Sequence, residues 1–181
     1  MNGGTTPGAP GPGPRAVLVG PPGSGKSTVG PLLAERLGTG YRDTDADVER
    51  AAGKPIAEIF VEDGEPRFRA LERRAVQEAV ADHTGVLSLG GGAILDAATR
   101  KLLTGLPVVF LDVELADAVQ RVGLATARPL LAVNPRQRWR TLMEERRPLY
   151  TEVARVTVPT GGRGPEEVAE AVLDALAPGQ G

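Results

Sequence analysis

The chain contains no cysteine and a single histidine, His83. Disulfides, thiolate metal centres, iron–sulfur clusters and cysteine nucleophiles are therefore excluded. One histidine also excludes multi-histidine metal sites and speaks against a Ser-His-Asp triad. Aromatic residues make up only 3% of the chain, too few for a surface that stacks single-stranded bases. No run approaches the ~20 apolar residues of a membrane span. The N-terminus has neither the basic start nor the apolar run of a secretory signal, so the cytoplasm is the expected compartment. Net charge is −2, without the basic excess of a protein drawn to nucleic acid by electrostatics. A local basic pocket stays open. Lysine is scarce too: among 21 basic residues, only Lys26, Lys54 and Lys101 are lysines.

What is present suits a globular protein with a core: 181 residues, 41% apolar and 24% charged, a length that fits one domain. Residues 1–14 include nine Gly or Pro and no charge. They read as a disordered tail, because such a segment buries too little surface to offset its ordering entropy. Residues 15–178 read as a single domain. Short apolar strands at 15–20, 41–44, 86–89, 107–111 and 155–158 alternate with helical stretches, the longest from Glu65 to Asp82 with Pro66 in its first turn. The alternation predicts an α/β fold of three layers, with a central five-stranded parallel sheet and helices on both faces. Ligands in such sheets bind beyond the carboxyl ends of the strands. Residues 123–135 lack periodicity and are expected to form a mobile lid. Pro31 falls inside the first helix, where a bend is expected. His83 is expected at the surface.

The strongest motif is Gly20-Pro-Pro-Gly-Ser-Gly25-Lys26-Ser27, a match to G-x-x-x-x-G-K-[ST] between a strand and a helix. With 24 glycines and three lysines in the chain, roughly 0.005 such matches arise by chance. The loop amides cradle phosphates at a helix N-terminus, Lys26 bridges the β- and γ-phosphates, and the Ser27 hydroxyl ligates Mg²⁺. No Asn-Lys-x-Asp guanine signature is present, and the short chain favours a small-molecule or nucleotide kinase with a closing lid. Asp43-Thr44-Asp45 follows the second strand. In an extended segment its two carboxylates point the same way, one placed to hold water on Mg²⁺ and the other to accept a hydrogen bond from an acceptor hydroxyl. A polar turn that caps the next helix is the alternative.

The strings Gly23-Ser-Gly-Lys-Ser-Thr28, Asp43-Thr-Asp45, Ile59-Phe60, Gly64-Glu65 with Phe68-Arg69, Glu72, Leu87-Ser-Leu-Gly-Gly-Gly92, Arg128-Pro-Leu-Leu131 and Arg146-Arg-Pro-Leu-Tyr150 resemble the shikimate kinases in order and spacing over about residues 15–175. The resemblance implies a P-loop kinase fold like that of the nucleoside monophosphate kinases. It also implies ATP-dependent phosphorylation of the 3-hydroxyl of shikimate in chorismate and aromatic amino acid biosynthesis. It assigns the shikimate carboxylate to Arg69 and Arg146, a hydroxyl to Asp45, further substrate contacts to Gly91 and Gly92, and water-mediated Mg²⁺ binding to Asp43 beside Ser27. It assigns ATP to Gly23, Ser24, Gly25, Lys26, Ser27 and Thr28, the transferring phosphoryl group to the lid residue Arg128, and the adenine flanks to Arg121 and Arg163. Lys26, Asp45 and Arg128 are the implied catalytic residues. One Mg²⁺ with ATP, no nucleic-acid or membrane partner and a monomer complete the expectation. Another small-molecule P-loop kinase, acting on gluconate or a nucleoside monophosphate, is the alternative. Guanidinium pairs suit a carboxylate acceptor, and Glu72, three residues after Arg69, is placed to orient its guanidinium.

Overall fold

The computed structural model describes residues 13–122 and 134–178, save the side chains of Val119, Arg121 and Val122. Strand β1 (Ala16–Val19) is buried on both faces. It is flanked by β3 (Val86–Ser88) and β4 (Val108–Asp112), with β2 (Tyr41–Asp43) and β5 (Val156–Pro159) at the edges, in the order β2-β3-β1-β4-β5. Every pairing is parallel, and Val17 faces both Leu87 and Val108. The connections are helical, as a parallel sheet requires. They are α1 (Lys26–Leu37), α2 (Thr44–Ala52), α3 (Ile56–Glu62), α4 (Glu65–Asp82), α5 (Ala97–Leu103), α6 (Leu115–Val122), α7 (Pro135–Val153) and α8 (Pro165–Leu176). Among the described residues a 3₁₀ turn covers Ala93–Leu95.

Strand periodicity sorts the core into two layers. Ala16, Leu18, Val109 and Leu111 pack against α1 and α8 through Leu33 and Val172. Val17, Leu87 and Phe110 face the other way, onto Val76 of α4, Leu103 of α5 and Trp139 and Tyr150 of α7. A satellite cluster of Val48, Ile59, Phe68 and Ala75 holds α2 and α3 on α4. This small core anchors the part of α4 that carries Arg69 and Glu72. All five strands run the same way, so residues 20–25, Asp43, Gly90–Gly92, Asp112 and Thr160 share one rim.

Three details differ from the sequence reading. Pro14 is buried and Arg15 N–H donates to the Gly85 carbonyl, so the packed chain begins before Arg15. Residues 1–12 lie outside the described residues, as does 123–133, which holds most of the expected lid. Pro135, the expected end of that lid, is the first residue of α7. His83 is half-buried, caps α4 and hydrogen-bonds the Val86 carbonyl through Nε2 at 3.0 Å.

Helix α1 runs unbroken from Lys26 to Leu37 through Pro31. Proline removes the N–H that Ser27 would use and crowds the residue before it. Ser27 and Pro31 are both exposed, so water can serve the released carbonyl. The residue before it is Gly30, which has no Cβ to crowd. Gly30 is also the floor for the Tyr41 ring: a Cβ there would lie 2.9 Å from Cδ2 and closer still to Cε2. Gly30→Ala is therefore expected to lower unfolding stability by about 1–3 kcal/mol, the usual cost of overpacking. An unchanged denaturation midpoint would contradict this packing.

Candidate active site

The loop between β1 and α1 opens into a cleft of about 480 Å³ lined by Pro22, Gly23, Gly25–Thr28, Asp43, Asp45, Ser88, Leu89 and Gly91. Ser24 is buried beneath it, and Ser27 and Thr28 face solvent at its mouth. Lys26 bends back along the loop and donates to the carbonyls of Gly20 at 2.6 Å and Pro21 at 3.1 Å. Its ammonium thus lies inside the loop, at the position where a polyphosphate can exchange for these carbonyls.

Asp43 and Asp45 converge on this cleft for a reason other than strand alternation. Asp43 ends β2 in extended conformation and is the N-cap of α2, its carboxylate accepting from the Asp45 N–H at 2.9 Å. Asp45 already belongs to the first turn of the helix. The capping alternative and the cleft reading therefore describe the same turn. Burial pushes the Asp43 carboxyl upward, opposed by the hydrogen bond from Asp45 N–H. Among the described residues no group of three or more His, Asp or Glu side chains is placed to hold a metal ion. What the cleft offers is the hydroxyls of Ser27, Thr28 and Ser88 and the carboxylates of Asp43 and Asp45. That donor set fits a hard cation carried in with phosphates and water, and does not fit a resident metal.

Beside the loop, two guanidinium groups come against the Gly90–Gly92 triplet. A Cβ on Gly92 would lie 2.7 Å from Arg69 Nη2, and one on Gly91 would lie 3.6 Å from Arg146 Nη1. A Cβ on Gly90 would collide with Glu72 Oε2 at 2.9 Å and crowd Asp45 Oδ1 at 2.5 Å. The triple glycine is thus the space into which two arginines and two carboxylates reach. Arg69 donates to the buried Glu72 at 2.8 Å and approaches Glu65 at 3.6 Å. Arg146 is 8% exposed, and its Nε is buried without a hydrogen-bond partner among the described residues. A buried, under-satisfied guanidinium beside a second one calls for an anion.

Glu72 is the counter-charge. Burial raises its pKa, Arg69 pulls it down, and nearby Asp45 adds to the rise. A carboxyl raised by folding loses relative stability as pH climbs from the unfolded value of about 4.3. The stability difference between wild type and Glu72→Gln is expected to move in the variant's favour across that rise. Denaturant unfolding from pH 4 to 7 measures it, and a trend of opposite sign would refute the assignment.

Lys26, Asp43, Asp45, Arg69, Gly91, Gly92 and Arg146 thus stand on one rim, with Gly23–Gly25, Ser27 and Thr28. Arg163 lies exposed in the loop between β5 and α8. Arg121 is in α6 with its side chain undescribed, and Arg128 lies outside the described residues. Arg147, the sequence neighbour of Arg146, pairs with Asp112 at the end of β4, 2.6 Å away. Sequence reasoning passed over Ser88, whose one signal is a hydroxyl within an apolar strand, and Thr44, whose Oγ1 accepts from the Gly90 N–H at 3.3 Å.

A family model described as "Shikimate kinase" matches residues 22–177. A shikimate kinase of Streptomyces avermitilis is 69% identical over 90% of this chain and 95% of its own length. One from Streptomyces coelicolor is 64% identical over the same shares. Among solved structures, shikimate kinase from Acinetobacter baumannii in complex with shikimate superposes with a TM-score of 0.84 at 40% identity, covering 88% of this chain and 90% of that one.

Proposed function

The chain belongs to the shikimate kinase family, and on that premise we propose that it transfers the γ-phosphoryl group of ATP to the 3-hydroxyl of shikimate, giving shikimate 3-phosphate and ADP. The carrying observation is the pair Arg69 and Arg146, whose guanidinium groups lie against Gly92 and Gly91, with Gly91 also lining the cleft beside the phosphate loop. Two guanidinium groups suit a carboxylate-bearing acceptor. A neutral acceptor would leave the buried Arg146 Nε unsatisfied and Glu72 as the counter-charge shared with Arg69.

In this reading ATP lies on the loop, its phosphates taken by the amides of Gly23–Thr28 and the Lys26 ammonium. Arg163 and Arg121 flank the adenine. Ser27 and, through water, Asp43 would hold one Mg²⁺, which supplies charge neutralisation on the phosphate oxygens when bound. Shikimate places its carboxylate between Arg69 and Arg146 and a hydroxyl on Asp45. Gly91 and Gly92 let the ring approach the backbone. Glu72 keeps Arg69 aimed. Arg128 meets the transferring group. Phosphoryl transfer through a loose transition state needs alignment and charge stabilisation more than a strong base, so Asp45 acts chiefly as a hydrogen-bond acceptor that orients the nucleophile. The enzyme works as a monomer in the cytoplasm, with small molecules as its partners.

A coupled ADP-release assay against shikimate, gluconate and nucleoside monophosphates tests the reading. Turnover with shikimate alone is expected. Equal or faster turnover of gluconate or a nucleoside monophosphate would replace it with the alternative kinase.

A further inference from the structure

Tyr150 follows Arg146 by one helical turn on α7, so both side chains leave the same helix face. The Tyr150 ring is fully buried. It stacks on Phe110 of β4 with centroids 5.0 Å apart and planes 24° from parallel. Its hydroxyl donates to the carbonyl of Gly91, the middle glycine of the triplet. The same glycine faces Arg146 Nη1. Helix α7 therefore meets Gly91 twice, through a guanidinium at the cleft and through a phenol from the core.

The peptide joining Gly91 to Gly92 is trans, so its C=O and N–H point in opposite directions. A carbonyl held by a core phenol turns the Gly92 N–H away from the core. Without an anchor, a Gly-Gly peptide is the most freely rotated link a chain can have, because neither residue carries a Cβ to restrict it. Ring stacking leaves the phenol no room to wander, so the anchor is stiff.

We propose that Tyr150 is a positioning residue: its hydroxyl sets the orientation of the Gly91–Gly92 peptide and its register with Arg146, and so tunes the affinity of the acceptor pocket. The proposal rests on that pocket being the shikimate site. Tyr150→Phe keeps the stack and removes only the hydroxyl. The KM for shikimate is expected to rise on the order of 10-fold, as for loss of one buried hydrogen bond that holds a binding group. The KM for ATP is expected to stay within about twofold: Gly91 borders Pro22 and Gly20 of the phosphate loop, but ATP is held by the loop's amides and Lys26 and not by the Gly91–Gly92 peptide.

Val172→Ala in α8, a buried position on the opposite face of the sheet, serves as a control with lowered stability; both of its KM values are expected to stay near wild type. If Tyr150→Phe shifts both KM values together, or neither, Tyr150 is core packing only and the proposal falls. A second readout does not need that variant to fold. The chain has two tyrosines, Tyr41 and Tyr150, so protein labelled with 3-fluorotyrosine gives two ¹⁹F resonances, assigned with Tyr41→Phe. Shikimate is expected to move the Tyr150 resonance, and a stationary one would overturn the proposal. If wild type itself consumes no ATP with shikimate, the reading of the pocket fails, irrespective of Tyr150. If wild type turns shikimate over while Tyr150→Phe keeps its KM, only the inference fails.

Discussion

Lys26→Met is expected to abolish almost all turnover while leaving the protein folded. Methionine keeps most of the lysine stem and removes the ammonium. That charge acts where the phosphate oxygens gather negative charge during transfer. Removing one such preorganised group costs on the order of 10²–10³ in kcat, and Lys54, held by Glu62 and Asp63 at 2.7 Å each, is committed elsewhere. The loss to folding is small by comparison. Lys26 gives up hydrogen bonds to the carbonyls of Gly20 and Pro21 in a partly exposed loop. These are worth about 1 kcal/mol net, or a fall of ~2–4 °C in Tm. Steady-state ADP release and a thermal melt on the same sample separate the two effects. Full activity in this variant would remove the phosphate loop from the mechanism.

Much of this site was legible because its parts obey local rules. The phosphate loop is a short contiguous string whose chemistry requires a strand before it and a helix after it, and β1 and α1 supply both. The long helix α4 announces itself through Pro66 in its first turn and charged residues on its outer face, and it occupies the expected span. Asp43 and Asp45 both line the cleft, but for a geometric reason other than the expected one. Period-two alternation cannot reveal that the chain leaves the strand at Thr44, since residues that end strands and residues that cap helices are drawn from the same polar set.

The remaining features depend on contacts between distant segments. Arg146 and Arg147 are adjacent and chemically alike. Only the packing of α7 buries one against Gly91 and turns the other onto Asp112. Gly30-Pro31 reads only as a bend in the first helix until Tyr41 is placed over Gly30. The link from Tyr150 to Gly91 spans 59 residues and leaves no trace in spacing. Its only local hint is the four-residue step from Arg146.

The adjacency of Arg146 and Arg147 makes them the sharpest test of substrate identity. Arg146→Ala is expected to damage use of shikimate far more than use of ATP, because the buried guanidinium faces the acceptor side of the cleft. A partly desolvated, charge-assisted contact is worth on the order of 2–4 kcal/mol, a thirty- to thousand-fold loss in kcat/KM for shikimate. Arg146→Lys should restore only part of this, since an ammonium lacks the planar two-point contact. Arg147→Ala breaks the ion pair with Asp112, in which the arginine side chain is 41% exposed. A pair so open to solvent contributes at most about 1 kcal/mol to stability, and its loss should leave the KM for shikimate near wild type. Varying each substrate in turn for the three variants decides the matter, with melting curves to show that Arg146→Ala still folds. If Arg147→Ala is the crippled variant, the buried guanidinium is structural and the carboxylate is gripped from the rim at Asp112. If neither variant changes the KM for shikimate, the acceptor is held without its carboxylate, and the paired arginines no longer argue for shikimate over a neutral polyol.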